Sequence, residues 1–121
     1  MKHLIALSVV LVLALGASCK KNQLNGSATI SGRVMHHSKP IPFSRVFIKF
    51  DAREFPGADT TKYDAHVQSD ANANYSIKVY KGDYFLYGVG YDPGIQRVVI
   101  GGIPVHIRNN ETVNTDVPVT E

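Results

Sequence analysis

The residues of this chain whose types could do chemistry are its histidines, a run of turn carboxylates and amides, and a dense group of aromatic rings. Beyond His3, the histidines are His36, His37, His66 and His106. Neighbouring residues on a strand point to opposite faces, so at most one of His36 and His37 can join a shared site. Neither His-x-His nor His-x₃-His spacing occurs, and no metal or cofactor is expected. Asp70, Asn72 and Asn74 match the first three side-chain positions of a calcium loop. Tyr75 and Lys81 then stand where that loop needs Gly and Glu, so the run reads as a turn. There is no Gly-x-Ser-x-Gly elbow, and the acids are spread about one per turn, so no catalytic residue is assigned. The aromatic residues are denser: Tyr80, Tyr84, Phe85, Tyr87 and Tyr91 fall within one short segment.

These residues must be positioned by strands. From residue 28 onward there is no helical stripe, and period-2 runs are bounded by Gly, Pro, Asn and Asp. Ala28, Ile30 and Val34 alternate with polar partners, as do Tyr63, Ala65 and Val67, then Tyr75, Ile77 and Val79, while Val46, Ile48 and Phe50 alternate with Arg45, Phe47 and Lys49. Ser38-Lys39-Pro40 reads as a turn, residues 51–61 as the longest loop, and residues 84–91 as a strong strand. Gly101-Gly102 reads as a break between runs 97–100 and 103–107. A last strand covers residues 113–119, with Pro118 at an edge. The spacing predicts an all-β antiparallel sandwich of seven or eight strands.

The chain has 121 residues, 13 Lys and Arg against 10 Asp and Glu, a single Cys and no Trp. One cysteine excludes an internal disulfide framework. A net charge of +3 is too small and too scattered for nucleic acid. Residues 1–18 open with Lys2 and His3 and continue as an apolar run too short to span a bilayer, the pattern of a secretory signal-peptide helix. The run ends Leu15-Gly16-Ala17-Ser18-Cys19. This segment resembles the lipobox of bacterial lipoproteins, although Gly16 stands where that family prefers Leu. The resemblance implies cleavage before Cys19, a diacylglycerol on its thiol and acyl chains such as palmitate on its amine. Residues 19–27 then form the lipidated Cys and a polar tether, and residues 28–121 the folded domain. The implied location is the cell envelope, at the outer membrane. Some Bacteroidetes lipoproteins destined for the surface carry acids after the Cys, whereas this chain has Lys20 and Lys21, which favours the periplasmic face.

Ile30-Ser31-Gly32-Arg33-Val34, Pro40-Ile41-Pro42-Phe43-Ser44-Arg45-Val46, residues 69–75 and Lys81-Gly82-Asp83-Tyr84 follow in order. Together they resemble the carboxypeptidase regulatory-like, transthyretin-like (Ig-like) β-sandwich domains. Ser44 and Ala73 replace the family's glycines, which leaves Asn72 or Asn74 to take the left-handed conformation of the turn. The family pattern implies that Tyr84 and Leu86 point inward. Phe85, Tyr87 and Tyr91 then share the opposite face as a candidate binding surface, unless the 51–61 loop covers it. Gly88 and Gly90, on the inward parity, leave room for a bulky neighbour or a bulge. The expected function is a non-catalytic, lipid-anchored binding or assembly module with a protein or glycan partner in the envelope. The alternatives are a glycan-binding lipoprotein using the three rings, and a small hydrolase using His36 or His66.

Overall fold

A computed structural model describes residues 20–121, and these are all-β with a single short 3₁₀ turn at Thr60–Lys62. Nine strands follow one another: β1 Leu24–His36, β2 Lys39–Pro40, β3 Arg45–Phe50, β4 Ala65–Gln68, β5 Asn74–Val79, β6 Gly82–Asp92, β7 Arg97–Ile107, β8 Thr112–Asn114 and β9 Val117–Pro118. The two-residue β2 lies where a turn is expected, and the single C-terminal run is divided into β8 and β9. Residues 1–18, which the sequence reads as a signal-peptide helix, lie outside the described residues.

One sheet has the order β4-β3-β6-β7, antiparallel throughout. The other is built around β1, which pairs antiparallel with β2 and β5 and parallel with β8 and β9. The inner faces share one hydrophobic cluster. Ile30, Val34, Ile77 and Val79 from the β1 sheet meet Val46, Ile48, Tyr84, Leu86 and Ile107 from the other, all of them buried. Alternation explains the choice: β5 reads exposed, buried, exposed, buried, exposed, buried along its six residues.

The fold departs from the sequence reading at both ends of the domain. β1 begins at Leu24, so residues 24–27 belong to the sheet and not to a tether. The pairing slips here, since Leu24 and Ala28 both oppose Val79, and Asn25 takes a positive φ of 71° in the bulge. Residues 22 and 23 are also held, through Asn22 N–H to Lys81 O and Tyr80 N–H to Gln23 O.

β7 runs unbroken through Gly101-Gly102. Gly101 is a crossing point and not a break: a Cβ there would lie 2.1 Å from Pro118 O. The C-terminal segment passes over it, leaving β1 at Val117 and Pro118 and reaching β7 through reciprocal hydrogen bonds of 2.8 Å between Ile100 and Thr120. Gly88 and Gly90 leave room for bulky neighbours, as expected. A Cβ on Gly88 would meet Val117 at 3.0 Å, and one on Gly90 would meet Ile41 at 2.8 Å. In the 70–74 turn, Ala73 takes the left-handed conformation (φ 67°), and neither Asn72 nor Asn74 does. Asp70 fixes this turn, its Oδ1 accepting from the N–H groups of Asn72 and Asn74.

Gly101→Ala is expected to destabilise the domain by about 1–3 kcal/mol in urea unfolding, because its methyl must displace backbone. Hydrogen exchange at the Ile100 and Thr120 amides should quicken with it. Unchanged protection at those two amides would show that the crossing does not need the glycine.

Candidate functional site

The expected aromatic stripe on β6 is divided by the structure. Tyr84 and Leu86 are fully buried in the core, so Phe85, Tyr87 and Tyr91 do share the outer face. Phe85 and Tyr87 are nonetheless only 6% and 3% exposed, and Tyr91 alone stands open at 52%. The open three-ring surface is therefore corrected to a covered one. The cover is the segment between β3 and β4. Phe55 packs over Phe85 and Tyr87 at ring-centre distances of 5.9 and 5.5 Å, and Tyr63 stacks on Tyr87 at 5.6 Å with an angle of 19°. On β3, Phe47 meets Tyr63 and His66 at the other side of the cluster.

Tyr63 thus leaves the alternating stripe in which periodicity places it and joins this second, outer core. Its hydroxyl donates to Gly57 O at 2.8 Å, and burial pushes its pKa up to about 12. Polar ties hold the covering segment down. Asp59 Oδ1 accepts from Thr61 N–H and Oγ1–H, and Asp64 Oδ2 accepts from Phe50 N–H at 2.7 Å.

What stays open is a band of aliphatic and aromatic groups at one end of the sheet. Tyr91 and Val98 sit opposite each other across β6 and β7, 52% and 59% exposed, and Val89 opposes Ile100. Ile95, in the β6–β7 turn, and Phe43, before β3, are exposed near the same end. Between Phe55 and Ile100 lies a shallow apolar hollow of about 290 Å³ floored by Phe85, Tyr87 and Gly102. Such a surface can bury apolar groups of a partner and offers no proton-transfer chemistry.

His66 and His106 occupy separate places, whereas the rings of His36 and His37 lie 4.7 Å apart. His37 stands just past the end of β1 with a positive φ of 56°, so the strand alternation expected to send the two to opposite faces does not apply to it. His66 stacks on Phe47, and His106 Nδ1–H donates to Asp83 Oδ1 at 2.9 Å. His36 is the buried one, and composition alone gives no sign of its partners. They come from strand ends far apart in the chain. Its Nδ1–H donates to Asp92 Oδ2 at 2.9 Å, while its Nε2 lies 2.7 Å from Glu121 Oε2, out of line for a hydrogen bond. Lys39 Nζ and Gly94 N–H satisfy Asp92 Oδ1. The hydrogen bond to Asp92 raises the His36 pKa above 6.5, against some burial and with help from Glu121. Hydrogen bonds from Lys39 and then His36 hold Asp92 well below the usual carboxylate range. The group ties the β1–β2 hairpin to the end of β6 and to the C-terminal segment. Among the described residues, no nucleophile is hydrogen-bonded to His36. Cys19 lies outside the described residues.

Two outcomes are expected. Phe55→Ala should uncover Phe85 and Tyr87, costing about 1–2 kcal/mol in urea unfolding and raising the fluorescence of an apolar dye; no change in either would mean that the ring covers nothing. The His36 group should make stability depend on pH. A raised histidine pKa contributes stability below 6.5 that is lost as pH rises through the folded value, whereas the lowered Asp92 and Glu121 contribute stability that is lost in acid. The melting temperature should therefore be highest at about pH 5–6 and fall towards about pH 8. His36→Gln should lower it at pH 6 and remove that alkaline fall; an unchanged alkaline fall would exonerate His36.

No family model matches this chain, and no curated protein matches it.

Proposed function

We propose that this chain is a non-catalytic binding or assembly module of the cell envelope, anchored by lipid at Cys19, with a transthyretin-like sandwich as its body. The sequence pattern ending in Cys19 supports the anchor. The observation that carries the reading further is where the body starts: hydrogen bonds already hold residues 22 and 23, so only about two free residues separate the fold from the cysteine. At 3.3–3.6 Å per residue such a link spans roughly 10 Å. An acylated Cys19 would therefore keep the body close against the bilayer, with two or three acyl chains making the attachment durable.

Close tethering gives the body a near and a far end. β1 runs away from the anchor, and its 13 residues cover roughly 40 Å. The open residues Tyr91, Ile95, Val98 and Phe43 lie towards its far end, where a partner in the envelope can reach them. The supporting observation for binding is this grouping of exposed apolar side chains at one end of the body. A glycan platform built on Phe85, Tyr87 and Tyr91 is the weaker reading, because only Tyr91 keeps a free ring face.

The anchor is tested by mass spectrometry of the mature protein recovered from membranes. The N-terminal peptide should begin at Cys19 and carry a diacylglycerol and an amide-linked acyl chain, and Cys19→Ala should abolish incorporation of labelled palmitate. A mature chain that starts elsewhere, or keeps a free thiol, would overturn the reading.

A further inference from the structure

The end of the domain from which residue 20 emerges concentrates positive charge. Three backbone segments converge there: the residues before β1, the start of β6 and the end of β7, where Gly82 opposes Ile107 and Asp83 opposes His106. Asn22 locks them together. Its N–H donates to Lys81 O and its Oδ1 accepts from Asp83 N–H, both at 2.9 Å, and it lies so close to Gly82 that a Cβ there would sit 1.9 Å from Asn22 Oδ1. Beside this junction is a cavity of about 560 Å³ lined by Lys21, Arg53, Lys81, Arg108 and His106. Leaving Lys2 aside, four of the chain's twelve remaining Lys and Arg residues face this one cavity.

Two carboxylates, Asp51 and Asp83, share the cavity without cancelling its charge. Asp83 is already engaged on both oxygens, by His106 at 2.9 Å and Arg53 at 3.3 Å, and the hydrogen bond from His106 holds its carboxyl below the usual range. Lys21, Lys81 and Arg108 have no carboxylate within ion-pair distance among the described residues. Lys20 lies alongside, its Nζ 5.7 Å from the centre of the Tyr80 ring. A group with several anionic oxygens can meet point charges from Lys and the fork of Arg at once, and a phosphate has that form.

The geometry points to this cavity as a seat for the phosphate of an anionic phospholipid head group, so that the body docks with its basic end on the membrane. This assignment rests on the lipid-anchored reading, since that reading is what brings the cavity to the bilayer. Anionic lipid attracts each nearby Lys or Arg within about a Debye length, and the short link keeps these side chains inside that range.

The test uses the isotope-labelled protein purified from membranes into zwitterionic detergent micelles, followed by amide and side-chain NMR. Titration with sn-glycerol 1-phosphate, and separately doping the micelles with phosphatidylglycerol, should both shift Lys81, Gly82, Asp83, His106 and Arg108 saturably. Lys81→Gln combined with Arg108→Gln should weaken both responses by roughly tenfold while leaving the rest of the spectrum in place. A response to glycerol phosphate without one to doped micelles would assign the cavity to a soluble phosphate and overturn the membrane role. Shifts spread evenly over cations at the far end such as Arg45 and Arg97, or no shift at all, would overturn the site itself. Association with undoped micelles reports the acyl anchor separately, so its failure is distinguishable from failure of the cavity.

Discussion

The backbone of β1 needs hydrogen-bond partners along both edges, and meeting that need organises the rest of the molecule. On one edge, β5 supplies an antiparallel ladder from Arg33↔Asn74 back to Ala28↔Val79. The other edge takes two short parallel pieces, β8 and β9, joined through Thr115 N–H to Ser31 O at 2.7 Å. Parallel pairing with β1 forces the end of the chain to run the length of the sheet, because nothing local can supply it. Having done so, the segment continues over Gly101 to Ile100, so that it is hydrogen-bonded to both sheets. Buried side chains hold the sheets face to face without direction, and this crossing adds register.

Polar groups inside the fold are placed where that register has to be closed. Tyr84, among the largest fully buried side chains, sends its hydroxyl to Tyr80 O and Gln23 O at the end where the chain enters. His36, Asp92, Lys39 and Glu121 do the same at the opposite end, outside the hydrophobic cluster. Tyr75 donates to Thr115 O between them. Each fixes strand ends that would otherwise fray, and removing a single partner would strand the others without compensation.

The inner face was legible in the sequence because alternation reports directly on burial. Ile30, Val34, Val46, Ile48, Ile77, Val79, Tyr84 and Leu86 are all core, on the parity their neighbours predict. What periodicity could not carry is which groups cover the outer face. Phe85 and Tyr87 alternate like surface residues of a one-sided sheet, and their burial depends on Phe55 and Tyr63, reached through a segment with no period of its own. The same limit applies to Gly101-Gly102, where a local rule that reads glycines as breaks cannot sense a strand arriving from residue 118. Ala73 shows the converse. Its left-handed backbone is imposed by hydrogen bonds to Asp70, which overrides the preference of Asn for that conformation. At the candidate sites, charge counts over the whole chain hid the grouping of Lys21, Arg53, Lys81 and Arg108, because residues from four remote segments meet only once the strands pair.

The resulting molecule is polarised along β1. Its entry end gathers unpaired cations, and its far end gathers unpaired apolar side chains, with Tyr91 and Val98 ten strand positions from the basic residues beside Gly82 and Ile107. These two surfaces answer to different forces. Charge attraction acts over about 8–10 Å and weakens with salt, so it suits the membrane boundary that the proposed lipid anchor would bring near. Apolar burial acts only on contact and needs a partner able to approach freely, so it suits the end that the proposed anchor would leave away from the membrane. With the proposed anchor, exchanging them would bring an exposed apolar band to the head groups and leave the cations facing open solvent. The separation is set by strand length, and strand length is set by the pairing of β1. Under the proposed anchoring, the body therefore has one orientation in which both of its open surfaces are used.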